Sequence, residues 1–358
     1  MAAAMAVVFG PREGVGTGDL DPPRPGLVRR APDGPGPERV ARPPASAVPG
    51  SAARAALSSS PPATTAPATT ATGAVAGPGT VDRLFAADSP VNTPIPAAAV
   101  VDAAGDRFGR YLAAHGPAIA DLYEYGVPVF DADASTPRVE VICTKSWGTC
   151  GLSRQPVPIP HAAAPSSGSD GAMVVIDRST RTSYEFWQAR RSNGTWVASW
   201  GGTAGIDGPG TPGSAVGAGV SRLAGVVRTE EIARSRIDHA LVFSTANACP
   251  THRYPASKSD GGSTRPDCVP QGARIQLDPS LDVESLPGIT PGERAVARAM
   301  QIYGAYAVDS AGAAMAVIFE DPAGKPDPYP AAGFGRDYDP MVHIPWERVR
   351  VLRQWDGR

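Results

Sequence analysis

The sequence predicts an all-β fold, a β-sandwich or jelly roll with a few short helices, preceded by a disordered N-terminal segment. Many short apolar runs alternate with the two-residue period of a strand. The chain of 358 residues contains 40 glycines and 39 prolines, which supply turn signals between these runs. Few stretches show a helical period, and this combination is typical of sandwiches and jelly rolls.

Residues 1–80 differ in composition from the rest of the chain. They consist almost wholly of Ala, Pro, Gly, Ser, Thr, Val and Arg, with Phe9 as their only aromatic residue. Such a segment cannot bury enough apolar surface to offset an ordering entropy of about 1–2 kcal/mol per residue. We therefore predict disorder over 1–80, with a Pro/Ala/Thr linker over 42–79, and a single β-sandwich domain over 81–358.

The four cysteines form two local pairs in the sequence, Cys143 with Cys150 and Cys249 with Cys268. Neither pair has the spacing typical of zinc sites, so we favour two local disulfides, although four cysteines allow three connectivities. Disulfides indicate an oxidising compartment, and we predict an extracellular protein, secreted or associated with the cell wall. The apolar run 1–9 lacks the basic start of a secretory signal and is interpreted as its remnant or as a mis-chosen start codon. A cytosolic protein with reduced thiols is the alternative.

Charge and composition restrict the partners. The net charge of −2 gives no reason to expect nucleic acid or an anionic membrane surface as a partner. No run reaches about 18 apolar residues, so no membrane insertion is predicted. Three of the 33 basic residues are lysines, a bias typical of GC-rich genomes such as those of actinobacteria. No pattern indicates a cofactor or a metal, and we expect a monomer.

Taken in order, the ordered part begins with a predicted helix over 100–115, whose apolar residues fall near a 3.6-residue period. A Gly-rich segment over 201–219 is too long for a simple connector and is predicted to form a rim or lid. A helix is predicted over 291–300, because Thr290 at the N-cap and Glu293 at N3 form a capping box. A shorter helix is predicted at 229–234, and strands are predicted at 127–130, 139–143, 173–177, 182–187, 196–200, 237–243, 273–277, 303–309, 314–319 and 349–352.

The standard catalytic motifs G-x-S-x-G, H-E-x-x-H, the P-loop and the dinucleotide fingerprint do not occur in the sequence. Candidates are therefore single polar residues in strand patterns. His239 lies in an otherwise apolar row and is either a packed core residue or a general base. Glu185 and Trp187 share one strand face, where a carboxylate beside an indole suits a saccharide, although a solvated edge strand would show the same pattern. Asp170 precedes the neighbouring strand and is a second carboxylate candidate or a turn residue.

Two later strands add four candidates. Arg274 and Gln276 point away from the core side of their strand, where a guanidinium could bind a uronate carboxylate or form a structural ion pair. Tyr303 and Asp309 lie on one face if their strand is regular. The alanines between them leave room either for a ligand in a groove or for a packed neighbouring sheet.

Seven blocks of the sequence, taken in their order, carry a resemblance to a family of secreted bacterial proteins. The blocks are 125–128 (YGVP), 158–160 (PIP), 169–175 (SDGAMVV), 184–189 (YEFWQA), 237–241 (IDHAL), 270–274 (PQGAR) and 303–309 (YGAYAVD). The family has large jelly-roll-like domains and is often grouped with carbohydrate-active proteins. The resemblance implies such a domain over 82–322 and an activity on polysaccharides, without a catalytic assignment. Relatives of this type often have a histidine at the position of Ala172; if that histidine is catalytic, this chain is impaired.

Residues and resemblance together predict an extracellular polysaccharide-active enzyme, either a glycoside hydrolase or a polysaccharide lyase. A hydrolase would pair Glu185 with Asp170 or Asp309 across the scissile bond. A lyase would use His239 or Tyr303 as the base, and Arg274 would stabilise the uronate carboxylate. A non-catalytic carbohydrate-binding or cell-wall module and a structural surface protein are the alternatives. A single deep groove would favour the enzyme if it is lined by His239, Glu185, Arg274 and Asp309. A flat aromatic platform would favour the binding module, and dispersal of these residues on opposite sheet faces would favour the structural role.

Overall fold

The computed structural model describes residues 83–353 of the chain. The disorder and linker predicted for residues 1–80, and the apolar run 1–9, lie outside the described residues. Within 83–353 the chain consists mostly of short strands in several sheets with a few short helices, so the predicted all-β class is confirmed. None of the helices in this range has the length and apolar character needed to cross a membrane.

The helices are α1 (Arg107–His115), α2 (Thr229–Ala233), α3 (Pro291–Ile302) and α4 (Tyr329–Ala332). The first ten strands are β1 (Ile119–Asp121), β2 (Val129–Ala132), β3 (Arg138–Val139), β4 (Val141–Cys143), β5 (Val157–Pro158), β6 (Met173–Asp177), β7 (Thr182–Trp187), β8 (Arg190–Ser192), β9 (Thr195–Ala198) and β10 (Trp200–Gly205). The remaining strands are β11 (Leu241–Thr245), β12 (Ala248–His252), β13 (Val269–Gln271), β14 (Arg274–Leu277), β15 (Ala305–Ser310), β16 (Ala316–Ile318), β17 (Asp339–Pro340) and β18 (Val349–Val351).

Two sheets contain most of the strands. The larger has seven strands in the order β17-β1-β16-β11-β15-β14-β18, and the smaller has four in the order β10-β7-β6-β2. Both are mixed, because β1 with β16, β11 with β15 and β2 with β6 pair in parallel. These parallel pairs distinguish the protein from a regular jelly roll, whose strands are antiparallel.

The two main sheets pack face to face across a shared apolar layer. Val174 and Ile176 of β6 belong to the same buried cluster as Val242 of β11 and Val308 of β15. The alternate residues of β11, β14 and β15 face the opposite side, where they pack with α1 and α3 in a second cluster. Since burying one aliphatic side chain contributes about 1.5–3 kcal/mol, these two clusters fix the seven-stranded sheet between the smaller sheet and the helices.

The segment that follows β10 enters the layer between the main sheets. Val216, Val220 and Leu223 belong to the cluster that the two sheets share. Gly202 of β10 permits this approach, because a Cβ at that position would lie 2.7 Å from the Cβ of Ser214. The Gly-rich segment predicted as a rim therefore divides into strand β10 and an inserted segment that lies against the sheets.

The outer face of the four-stranded sheet packs on a three-stranded sheet, β4-β9-β8, and on the two-stranded sheet β3-β5. Met173 and Val175 of β6 and Phe186 of β7 cluster there with Trp196 of β9. This face is opposite to the one that carries Glu185, because side chains alternate along a strand. The sequence pattern predicted β6 and β7 with these same bounds.

Both predicted disulfides are present. Cys143 bonds to Cys150 across a separation of seven residues, and Cys249 bonds to Cys268 across 19. No cysteine in residues 83–353 is free. The local pairing predicted from the sequence is therefore confirmed.

The first predicted helix is shorter than expected. It was predicted over 100–115 but begins at Arg107. Val101 instead forms an isolated antiparallel bridge with Leu352, so the backbone before the helix pairs with the C-terminal part of the chain.

The strand predicted over 237–243 also begins later, at Leu241. Ala240 donates its N–H to the carbonyl oxygen of Val91, in the extended segment that enters the domain. The histidine at 239 consequently lies in the loop before β11 and not in the strand itself.

Candidate functional site

A cavity of about 440 Å³ lies over the face of the seven-stranded sheet formed by β1, β16, β11 and β15. Its volume is in the range of small-molecule sites. We call it the carboxylate cavity, because Asp121, Asp170 and Asp309 line it. The sequence predicted Asp170 and Asp309 as site residues but not Asp121. The other polar residues that line it are Tyr125, Ser169, Ser221, Arg222, Ser244, Ser310 and Tyr338.

Asp121 is the last residue of β1 and a buried acid. Its neighbours Ala120 and Leu122 point into the core formed with the helices, so Asp121 points to the cavity side. It is 6% exposed, and within residues 83–353 its carboxylate has no hydrogen-bond or ion-pair partner. Burial, together with the negative charges of Asp337 and Asp170, raises the pKa of Asp121 to about 7. Such a group keeps a proton near neutral pH and can donate it to a ligand.

Asp309 reaches the cavity because β15 contains a bulge. Phe243 of β11 pairs with Ala307, whereas the next residue, Ser244, pairs with Asp309, so Val308 is the extra residue. In a regular strand Asp309 would point with Ala307 towards the helices. The bulge reverses this, and Val308 and Asp309 both face the cavity. The prediction that Tyr303 and Asp309 share a face assumed a regular strand, which the structure does not contain.

The Asp309 carboxylate is held by backbone donors. Its Oδ1 accepts the N–H of Gly217 at 3.2 Å and the N–H of Ser310 at 3.2 Å. Burial raises the pKa of Asp309 to about 7; the positive charge of Arg222 opposes this, and Asp260 reinforces it. A second acid therefore keeps a proton near neutral pH.

Asp170 connects the cavity to an aromatic surface. It is half-buried, and its Oδ1 accepts the indole N–H of Trp187 at 3.3 Å. The negative charge of Asp170 contributes to the raised pKa of both Asp121 and Asp309. The three acids therefore interact electrostatically across one cavity.

Glu185 lies behind the cavity wall and not in the cavity. It is 1% exposed, and its carboxylate accepts hydrogen bonds from the Ser183 hydroxyl at 2.9 Å, the Ser221 hydroxyl and the Arg222 backbone N–H at 2.7 Å. Burial raises the pKa of Glu185, although these hydrogen bonds oppose the shift. Its position indicates a role in holding residues 221 and 222, which line the cavity.

Arg222 is the cation of the cavity wall. It is 7% exposed, and its guanidinium donates to the carbonyl oxygen of Ala215. Its Nε has no hydrogen-bond partner, and no carboxylate of residues 83–353 lies within ion-pair distance of it. Its charge lowers the pKa of Asp309 and so limits the rise that burial causes.

His239 and Tyr303 line a separate cavity of about 430 Å³. Nε2 of His239 lies 2.9 Å from Glu231 Oε2, and Nδ1 lies 2.9 Å from the carbonyl oxygen of Ala240. Both neighbours are acceptors, so the doubly protonated ring satisfies both. Burial lowers the pKa of His239, but the charge and hydrogen bond of Glu231 outweigh burial and leave that pKa raised.

We expect the His239–Glu231 pair to make stability depend on pH. Because the folded-state pKa of His239 is raised above 6.5, its contribution is fully present below pH 6.5 and is lost as pH rises through the folded pKa. The His239→Gln change should lower the free energy of unfolding by about 1–3 kcal/mol below pH 6.5 and by less at alkaline pH. Urea unfolding of both proteins at several pH values measures this, and a cost that does not change with pH would contradict it.

Arg274 and Gln276 do not face the carboxylate cavity. Arg274 is buried, donates to the carbonyl oxygens of Tyr303 at 2.7 Å and Thr93 at 2.5 Å, and borders a third, smaller cavity. The amide of Gln276 donates to the carbonyl oxygen of Gln301 at 2.8 Å. These contacts give both residues structural partners, and the guanidinium of Arg274 bonds to two backbone carbonyl oxygens.

The predicted residues do not meet in one groove. Asp170 and Asp309 share the carboxylate cavity, and Trp187 contacts Asp170. Glu185 lies behind the cavity wall, and other cavities are bordered by His239, Tyr303 and Arg274. Gln276 lines none of these three cavities. Two charged residues of the cavity, Asp121 and Arg222, were not predicted. Asp121 had a detectable signal, an acid two residues after Ile119 in an otherwise apolar run, whereas Arg222 lies in a loop without a pattern.

Within residues 83–353 no group of three or more histidine, cysteine, aspartate and glutamate residues is arranged to hold a metal ion. Ala172, where the resemblance implies a histidine in relatives, is buried in the layer between the main sheets. Comparisons of the chain with protein-family models, with curated proteins and with solved structures find no match, so the resemblance stays a prediction.

Proposed function

We propose that this protein is a glycoside-hydrolysing enzyme that acts on an extracellular polysaccharide, with its active site in the carboxylate cavity. The observation that carries this proposal is Asp121, a buried and unpartnered acid that keeps its proton near neutral pH beside two further acids. Glycoside hydrolysis needs a protonated carboxylic acid and a second carboxylate on either side of the scissile bond.

In the proposed mechanism Asp121 is the general acid. Because its carboxyl group has no protein partner, it is free to donate its proton to the leaving glycosidic oxygen. Asp170 supplies the second carboxylate, either as the nucleophile or as the base that activates water. The indole N–H of Trp187 fixes one oxygen of Asp170 and leaves the other for this step.

Asp309 and Arg222 would bind and orient the sugar. Asp309 is held by two backbone N–H groups, and its carboxyl group can hydrogen bond to a sugar hydroxyl. Arg222 offers guanidinium hydrogens close to the acids, where a cation also stabilises negative charge on them. Preorganised groups of this kind position a substrate without a further ordering cost.

Hydrolysis is favoured over lyase chemistry by the distribution of the candidates. The bases predicted for a lyase, His239 and Tyr303, line another cavity, and Arg274 hydrogen bonds to backbone carbonyl groups. An extracellular location is supported by the two disulfides, which persist in oxidising compartments.

Incubation of the full chain with a panel of neutral and uronic polysaccharides tests the proposal. We expect new reducing ends on at least one polysaccharide, without the ultraviolet absorbance of the unsaturated product that a lyase makes. Reducing ends that appear together with that absorbance would replace hydrolysis by elimination. Absence of both signals, with binding retained on affinity gels, would replace the enzyme by a binding module.

A further inference from the structure

We infer that Trp147 forms a saccharide-binding subsite next to the carboxylate cavity, which holds further sugar residues of a polysaccharide chain. This inference rests on the proposed function and specifies its substrate class as a polymer. Trp147, Trp187 and Trp200, which we call the tryptophan platform, carry the argument.

Trp147 is exposed but ordered by its neighbours. Its side chain is 63% exposed, the highest value among the large hydrophobic residues of 83–353. Its ring stacks on Trp187 with centroids 5.8 Å apart and planes at 21°, and it contacts Trp200 at 5.7 Å. Burial therefore does not account for an indole at this position, whereas a solvent-exposed indole suits contact with the apolar face of a sugar.

The loop that carries Trp147 is fixed to the sheets at both ends. The Cys143–Cys150 disulfide closes it. The N–H groups of Thr144 and Lys145 donate to the carbonyl oxygens of Ala198 and Ser199, at 2.9 and 3.1 Å. A ring that is held before binding loses little conformational entropy when a ligand stacks on it.

The tryptophan platform is continuous with the carboxylate cavity. Trp187 stacks under Trp147 and at the same time donates its N–H to Asp170, which lines the cavity. The Lys145 ammonium lies over the Trp147 ring, 5.4 Å from its centre. The Ser199 hydroxyl donates to the side-chain oxygen of Gln188, and these two residues are the chain neighbours of Trp200 and Trp187. A chain of sugar residues with one glycosidic bond in the cavity would extend over these rings.

Trp147→Ala tests the subsite in the full chain. We expect KM for a long soluble polysaccharide to rise about tenfold, and we expect a much smaller rise in KM for a short aryl glycoside that occupies only the carboxylate cavity. Trp147→Phe should recover part of the loss, because it keeps an aromatic face. Ile142→Ala is the matched control, since Ile142 is 54% exposed on the adjoining strand β4 and should leave KM unchanged.

A binding measurement separates this inference from the proposed function. Affinity gels containing β-glucan, xylan or polygalacturonate are run with the parent chain and with the Trp147 and Ile142 variants. Retardation that disappears in Trp147→Ala supports the subsite even if no polysaccharide is cleaved. Equal retardation of all variants, or no retardation of the parent chain by any polysaccharide, overturns it.

Discussion

Replacement of Asp121 by asparagine is expected to lower kcat for polysaccharide hydrolysis by about 10²–10⁴-fold, the usual contribution of a general acid. Asparagine has nearly the same size and cannot donate an acidic proton. Because no protein group bonds to the Asp121 carboxylate, the change breaks no hydrogen bond within the described chain. The loss therefore reports on proton transfer and not on the architecture of the cavity.

Two measurements identify the missing proton. A dinitrophenyl glycoside needs little protonation of its leaving group, so its hydrolysis should fall far less in Asp121→Asn than that of the polysaccharide. Parent activity should decrease above about pH 7, where Asp121 loses its proton, and this decrease should be weaker in the variant, in which only Asp309 still titrates near pH 7. Equal losses on both substrates would assign the acid role to another residue.

The same substitution should increase the free energy of unfolding, although it lowers activity. The folded pKa of Asp121 is about 7 and its ordinary value is 3.8, so the acid destabilises the fold increasingly as pH rises between these values. Asparagine does not titrate, and we expect Asp121→Asn to be more stable than the parent at neutral and alkaline pH by a few kcal/mol. Asp131→Asn is the matched control, because the Asp131 side chain is 56% exposed in a surface ion pair.

Local patterns predicted the elements whose determinants are local. Strands β6 and β7 have their predicted bounds, because apolar alternation and a four-residue turn define them. Helix α3 begins at Pro291 as predicted, since Thr290 and Glu293 form the capping box in the structure. The start of α1 was wrong because a bridge between residues 101 and 352, distant in sequence, decides the backbone there.

The site depends on non-local features and was predicted only in part. Asp170 and Asp309 were identified, but the face on which Asp309 lies is set by the bulge at Val308, which a regular alternation does not reveal. Asp121 becomes a candidate only in the folded protein, where β1 pairs with β16 and the burial of Asp121 raises the pKa of its carboxyl group. Glu185 matched a catalytic pattern in sequence because a buried hydrogen-bond acceptor and a catalytic acid both place a carboxylate in an apolar strand.

Glu185 is the residue for which sequence and structure suggest different roles, and substitution separates them. We expect Glu185→Leu to lower the free energy of unfolding by about 3–5 kcal/mol, because it leaves the Ser221 hydroxyl and the Arg222 backbone N–H without this acceptor in a buried site. The Ser183 hydroxyl keeps the carbonyl oxygen of Ala204 as its acceptor. Chemical denaturation of the variant and the parent measures this loss. A loss near zero would show that these hydrogen bonds do not hold the segment.

Glu185→Gln is the conservative comparison. Its amide oxygen can accept the Arg222 backbone N–H, and its NH₂ group can donate to the two serine hydroxyls, which rotate to accept. We therefore expect a stability change of about 1 kcal/mol or less. Since the fold is retained, kcat distinguishes the roles: a positioning residue should leave it within about tenfold, whereas a catalytic carboxylate should cost about 10²–10⁴-fold. The contacts of Glu185 with the cavity wall lead us to expect the smaller effect, with Asp121 and Asp170 performing the chemistry in front of it.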